Sequence, residues 1–269
     1  MSSVRSRRLV GAAVALLTAA FLCSALGPAP ASADHAGGDP GPVHAGNTFG
    51  WWKSLVYREE FHGTMPKYWK VEGPGVVQHQ NGMLTLNTTD QGSVSATLDR
   101  KGATTGRWEV RLRSRRYGTG DANFRVLTEL VPADPEAYHC GAQNIALNAY
   151  RIGRSTAHFH IRTLPAKEFT GKVTRMDLGK DEWHTYAVEV QERRISWFVD
   201  AHVIHTERRR GALSGIPLTV RFTMEAQPGE AMNQSRMQMD WLRHWSADPK
   251  PTKSVDALRT RRGTYDGAC

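Results

Sequence analysis

The residues best equipped for chemistry lie in and around one stretch, Cys140-Gly141-Ala142-Gln143-Asn144-Ile145-Ala146-Leu147-Asn148-Ala149-Tyr150. The amides of Gln143, Asn144 and Asn148 and the ring of Tyr150 could hydrogen-bond to and stack on a hydroxyl-rich ligand. Two carboxylates in other runs are candidates for acid–base or nucleophilic work. Glu129 lies in Leu127-Thr128-Glu129-Leu130-Val131-Pro132, and Glu225 ends Arg221-Phe222-Thr223-Met224-Glu225. Each shares a strand face with an arginine, Arg125 and Arg221 respectively, so ion pairing in a polar groove is the competing role. His158 and His160 share a face of a further run. With no third ligand evident, they suit hydrogen bonding to hydroxyls or acids better than metal binding.

These residues need strands to position them. Alternation in the 140–150 stretch puts Gln143, Ile145, Leu147 and Ala149 on one face, suited to a core. Ala142, Asn144, Ala146, Asn148 and Tyr150 fall on the other, suited to the floor of a groove. About ten short runs rich in β-branched and aromatic residues surround it, from Val56–Phe61 to Met237–Trp245. Turn signals such as Asn81-Gly82 and Gly118-Thr119-Gly120 separate them, and no segment carries a helix-length amphipathic period. That texture predicts an all-β sandwich.

The ends of the chain read differently. Arg5, Arg7 and Arg8 precede an apolar run from Leu9 to Leu26, and Ala31-Ser32-Ala33 fits a small-residue cleavage site. Residues 1–33 are expected to be a signal peptide, making the protein secreted and extracellular, with no stable membrane insertion once it is cleaved. Its removal takes away three arginines (Arg5, Arg7 and Arg8) and no acid, so the formal charge falls from +9 to +6. Such a surface attracts acidic polymers, although a mildly basic secreted protein without a charged partner is the simpler explanation. Zinc spacing, a helix-turn-helix pattern and a basic helix are all missing, so nucleic acid is not an expected partner. Residues 34–49 read as a Gly/Pro-rich linker, 50–247 as the folded domain and 248–269 as a polar basic tail. Cys140 and Cys269 survive cleavage, and export favours a disulfide between them.

The order of motifs adds a family. Gly106-Arg107-Trp108-Glu109-Val110-Arg111-Leu112 is followed by Trp183-His184-Thr185-Tyr186-Ala187-Val188-Glu189, then Ile195-Ser196-Trp197-Phe198-Val199-Asp200 and Met239-Asp240-Trp241-Leu242-Arg243. Over residues 57–245 this order resembles glycoside hydrolase family 16, the secreted laminarinase and lichenase group. The resemblance implies a concanavalin A-like jelly roll with a concave sheet forming the cleft. It also implies a catalytic strand carrying Glu-x-Asp-x-Glu, or a bulged form with one extra residue before the last Glu. Here those positions read Ala142, Asn144 and Ala146, or Ala142, Asn144 and Leu147 with the bulge. A retaining glycosidase needs two carboxyl groups about 5–5.5 Å apart, and none of these residues supplies one. The family's outer-face calcium, where present, would fall on Glu59 or Glu60 together with Asp240; Glu60 and Asp240 are the structural-calcium candidates, and no other cofactor is expected.

Three functions compete on these grounds. The first is a monomeric polysaccharide-binding protein, for β-glucan or a related glycan, with hydrolysis lost and Gln143, Asn144, Asn148, Tyr150, His158 and His160 making the contacts. The second is an endo-glycosidase hydrolysing O-glycosyl bonds with Glu129 and Glu225 as relocated acids. The third is a non-catalytic structural or interaction sandwich whose groove is filled.

Overall fold

The computed structural model describes residues 43–136 and 143–265. After a short helix α1 (Ala45–Thr48), the first strands in chain order are β1 (Leu55–Glu59), β2 (Trp69–Glu72), β3 (Val76–Gln80), β4 (Met83–Asn87) and β5 (Val94–Leu98). Then come β6 (Gly106–Arg116), β7 (Arg125–Pro132), β8 (Asn144–Arg151), β9 (Arg154–Thr163), β10 (Lys167–Leu178) and β11 (His184–Gln191). The last are β12 (Arg194–Val199), β13 (His202–Glu207), β14 (Leu218–Glu225), β15 (Ser235–Trp245) and β16 (Arg261–Thr264).

They form two antiparallel sheets. The first runs β13-β12-β11-β6-β15-β4-β3, with β1 added beside β15; the second runs β16-β10-β9-β8-β7-β14-β5-β2. The interleaved strand order is that of a concanavalin A-like jelly-roll sandwich, as the sequence predicts.

Alternation along the strands builds the core between the sheets. Trp108, Val110 and Leu112 of β6, Tyr186, Val188 and Val190 of β11, and Ile195, Trp197 and Val199 of β12 meet inward-facing residues of the second sheet. Those include Val126 and Leu130 of β7, Phe159 and Ile161 of β9, and Val220, Phe222 and Met224 of β14. Trp69, Trp108 and Trp197 belong to this core. Trp183 instead lies under Arg111 and Arg113, with guanidinium carbons 4.9 and 4.4 Å from its ring.

Both flanking segments differ from expectation. The linker was expected to run to residue 49, yet α1 falls inside it and docks on the first sheet. Backbone N–H groups of Ala45 and Gly46 donate to the buried Glu109 carboxylate at 2.6 and 3.1 Å. Phe49 and Trp51 then join Ala187, Phe198, Trp245 and Val255 in a second apolar cluster on the outer face of that sheet. Trp51 is fully buried there, whereas Trp52 is exposed. The basic tail is likewise anchored. Val255 enters this cluster, Thr260 is buried against Glu207 and Arg209, and β16 adds an edge strand beside β10. Composition hides these contacts because each uses a few apolar or hydroxyl residues in an otherwise polar segment. Cys140, Cys269 and residues 1–33, the expected signal peptide, lie outside the described residues.

A hydrogen bond from the first sheet reaches β8 across the sandwich. Trp197 Nε1, fully buried, donates to the backbone carbonyl of Ala146 at 2.9 Å. Trp197→Phe keeps a ring but leaves that carbonyl without this donor, and a lost buried partner costs about 1–3 kcal/mol. Urea unfolding of this variant is expected to show a loss of that size; unchanged stability would mean the bond carries nothing.

Candidate functional site

The β8 strand does not keep simple alternation. Glu129 pairs with Ala146 and Thr128 with Asn148, and on the other side Ala146 pairs with His160 and Ala149 with His158. This β-bulge inserts one residue between Ala146 and Ala149. Leu147 belongs to the core. Asn148, in register with Thr128 between the inward-facing Val126 and Leu130, is also on the core side and fully buried. Beyond the bulge the faces are exchanged, so Tyr150 turns into the core and its hydroxyl meets Ser114 Oγ at 2.9 Å.

The placement of Asn148 and Tyr150 on the groove floor is therefore corrected: the extra residue shifts the register by one and carries both side chains to the interior. Ala149, expected inside, takes the outer face instead. Gln143 immediately precedes β8 and is partly exposed. Ala142 lies outside the described residues.

The outward row of β8 is thus Asn144, Ala146 and Ala149. Its spacing is that of the bulged form of the Glu-x-Asp-x-Glu motif, two residues further along than the reading from sequence. It contains no carboxyl group.

A carboxylate does stand in this region, on the adjacent strand. Register aligns His160 of β9, Ala146 of β8, Glu129 of β7 and Arg221 of β14 in one row across the sheet. Asn144 Nδ2 donates to Glu129 Oε1 at 2.8 Å, and Arg221 Nη2 donates to Oε2 at 2.9 Å. His160 Nε2 lies 3.7 Å from Oε1. The centre of the face is closed: Glu129 and His160 are 3% exposed and Asn144 is 5% exposed. Burial alone would raise the Glu129 carboxyl, but His160 and the Arg221 charge outweigh it and hold it down at about 2. Asn144 Oδ1 and Thr223 Oγ1 have no hydrogen-bond partner among the described residues.

Arg221, not Arg125, is the cation on Glu129, because the cross-strand neighbour is closer than a residue four positions away on the same strand. Arg125 pairs instead with Glu225, its partner in register, at 3.2 Å. Glu225 lies four residues from Arg221 along β14, about 13 Å from the Glu129 row at the strand's rise per residue.

The calcium candidates are each engaged by an arginine: Asp240 Oδ2 accepts from Arg111 at 2.9 Å and Glu60 Oε1 from Arg243 at 3.4 Å. Calcium needs six or more oxygen ligands. The described residues hold no cluster of three or more carboxylate, histidine or cysteine side chains able to bind a metal.

The sandwich, its strand order and the bulged strand across its second sheet define a glycosidase-type jelly roll. The profile of glycosyl hydrolases family 16 matches residues 65–243, and the chain belongs to that family. Solved structures share the fold at low identity. The endo-β-1,3-glucanase of Pyrococcus furiosus aligns with a TM-score of 0.57 at 12% identity, over 71% of this chain and 94% of that one. The laminarinase of Rhodothermus marinus aligns with a TM-score of 0.55 at 15% identity, over 74% and 98%. A non-specific endo-β-1,3(4)-glucanase of the same family gives 0.56 at 15% identity, over 71% and 90%. No match is found among curated proteins.

The state of Glu129 sets a pH dependence. Its folded pKa of about 2 lies below its ordinary value of 4.5, so the ionised form favours the folded state. That contribution is complete above about pH 5 and is lost as pH falls through about 2. Glu129→Gln is expected to be less stable than the parent by roughly 3 kcal/mol at pH 7, with the gap closing as pH approaches 2. Chemical unfolding at a series of pH values measures it; a gap independent of pH would refute the pairing.

Proposed function

We propose that this protein is an exported family member that binds polysaccharide along the outer face of its second sheet and no longer hydrolyses it. The observation that carries this reading is the outward row of β8. In this reading Asn144, Ala146 and Ala149 take the places of the nucleophile and the acid/base of a retaining glycosidase, and neither an amide nor a methyl group can do either job.

The neighbouring acids do not replace them. Glu129 and Glu225 sit on neighbouring strands, four residues apart along the sheet, about 13 Å of strand rise. Each is also committed to an arginine. Glu129, held at about 2, has no proton to donate near neutral pH. The solved relatives act on β-glucans by name, which makes a β-glucan or related glycan the first ligand to try. Export is supported by the basic start, apolar run and Ala31-Ser32-Ala33 site of the sequence. Among the described residues no helix is long and apolar enough to cross a membrane.

The burial of Glu129, Asn144, Ala146 and His160 favours a second reading, a structural or interaction sandwich in which the centre of this face is permanently filled.

A reducing-sugar assay on laminarin and lichenan, with pull-down on insoluble β-glucan, separates these readings. The expected result is no hydrolysis above blank together with retention on glycan. Clear turnover abolished by Glu129→Gln or Glu225→Gln would overturn the proposal in favour of relocated acids. Neither turnover nor retention on any glycan would favour the filled sandwich.

A further inference from the structure

The accessible part of the outer face is not at its centre but at one end. There Arg125, Arg151, Arg154, Ser155, Thr156 and His158 line an open pocket of about 620 Å³ with Ala149 at its floor. Among the described residues no aspartate or glutamate lines it. An adjoining pocket of about 460 Å³ shares Arg151 and Arg154 and adds Arg116, Asp121 and Glu230.

The cations here are unevenly committed. Arg125 is partly neutralised by Glu225. Arg151 Nη1 donates to the Asn123 carbonyl at 2.6 Å, which fixes its guanidinium without cancelling its charge. Arg154 is exposed and has no carboxylate partner among the described residues. Lys172 is exposed and lies in register with His158 on the next strand. Burial, and after it the charges of Lys172, Arg125 and His160, hold His158 below its ordinary value, a sign of the positive field at this end. A neutral sugar is usually held by amides and aromatic faces. The bulge has turned the one aromatic side chain at this pocket, Tyr150, into the core.

We propose that this end of the face binds the anionic substituent, a carboxylate or a sulfate ester, of an acidic polysaccharide. Guanidinium forks match both groups in geometry and charge, and the hydroxyls of Ser155 and Thr156 supply further donors. Acidic chains are drawn to such a cluster from solution, neutral chains are not. This inference rests on the polysaccharide-binding reading and names the chemical class of its ligand.

Calorimetry on the full secreted chain tests it with three probes: laminarin as the neutral chain, polygalacturonate as the carboxylate chain and a sulfated galactan as the sulfate chain. At least one acidic chain is expected to bind about tenfold or more tighter than laminarin, with the advantage lost in roughly 1 M salt. The arm that binds identifies the group. Arg154→Ala is expected to weaken acidic binding about tenfold. Glu225→Gln, which frees Arg125, is expected to tighten it. Both variants should leave laminarin binding and the melting temperature unchanged. Equal affinity for all three probes, or no effect of Arg154→Ala on acidic binding in a folded protein, overturns the inference and leaves the polysaccharide-binding reading intact. Failure to bind any of the three overturns both.

Discussion

The bulge between Ala146 and Ala149 gives β8 one residue more than its neighbours require, and the Trp197 indole of the opposite sheet holds it from behind by donating to the Ala146 carbonyl. Because side chains in a strand alternate with a period of two, one extra residue exchanges the faces of everything that follows. Before the bulge, Asn144 and Ala146 look outward; after it, Ala149 does. The same step sends Asn148 and Tyr150 inward beside Leu147, which faces the core in either register. The character of the outer face, polar at Asn144, lined only by methyl groups at Ala146 and Ala149, and cationic beyond, descends from that local geometry rather than from composition.

Charge is distributed around this frame by register. Cross-strand pairs sit closest in an antiparallel sheet, and both acids of the face obey that rule: Glu129 faces Arg221, and Glu225 faces Arg125. The other face of the sandwich shows the same logic at higher burial. Arg107 and Glu189 are both fully buried, paired at 2.8 Å, and Arg107 Nη1 and Nη2 donate to the carbonyls of Ser246 and Pro249. A buried pair of this kind persists only when its remaining hydrogen-bonding capacity is satisfied, and here the segment after β15 provides the acceptors. The terminal segments are thus part of the fold because they complete polar groups that the first sheet cannot satisfy alone.

The fold was legible in the sequence because its signals are local and repeated. Strands such as Trp108-Glu109-Val110-Arg111-Leu112 carry the period of two without interruption, and their order along the chain is specific. The site was legible in part. Asn144 and Ala146 were placed on the correct face, as were His158 and His160, and Glu129 was singled out as the acid beside them. Strict alternation after Ala146 puts Asn148 and Tyr150 on the outer face, whereas the bulge carries both inward. Nothing in Ile145-Ala146-Leu147-Asn148-Ala149 marks the insertion: glycine is absent, and apolar residues occupy both possible registers. Pairing with β7 and β9, together with the distant Trp197, decides between them. The partner of Glu129 was missed for a related reason, since Arg125 is near in sequence whereas Arg221 is near only once β14 is placed beside β7. The docking of α1 through Glu109 depends on a residue that reads as an ordinary outward-facing acid.

A carboxylate surrounded as Glu129 is surrounded serves a different purpose from a catalytic one. Acid–base catalysis calls for a group whose pKa lies near the working pH, so that both protonation states are accessible. Desolvation moves a carboxyl in that direction, and at Glu129 it is more than offset by His160 and Arg221. The result is a fixed anion that orients the Asn144 amide and the Arg221 guanidinium, with Asn144 Oδ1 left as an acceptor. Beyond this neutralised centre, the positive charge of Arg151 and Arg154 is not cancelled by any acid lining the pocket. The face therefore passes from a compensated polar centre to an uncompensated cationic end, and it is the uncompensated end that has free energy to gain from an anionic ligand.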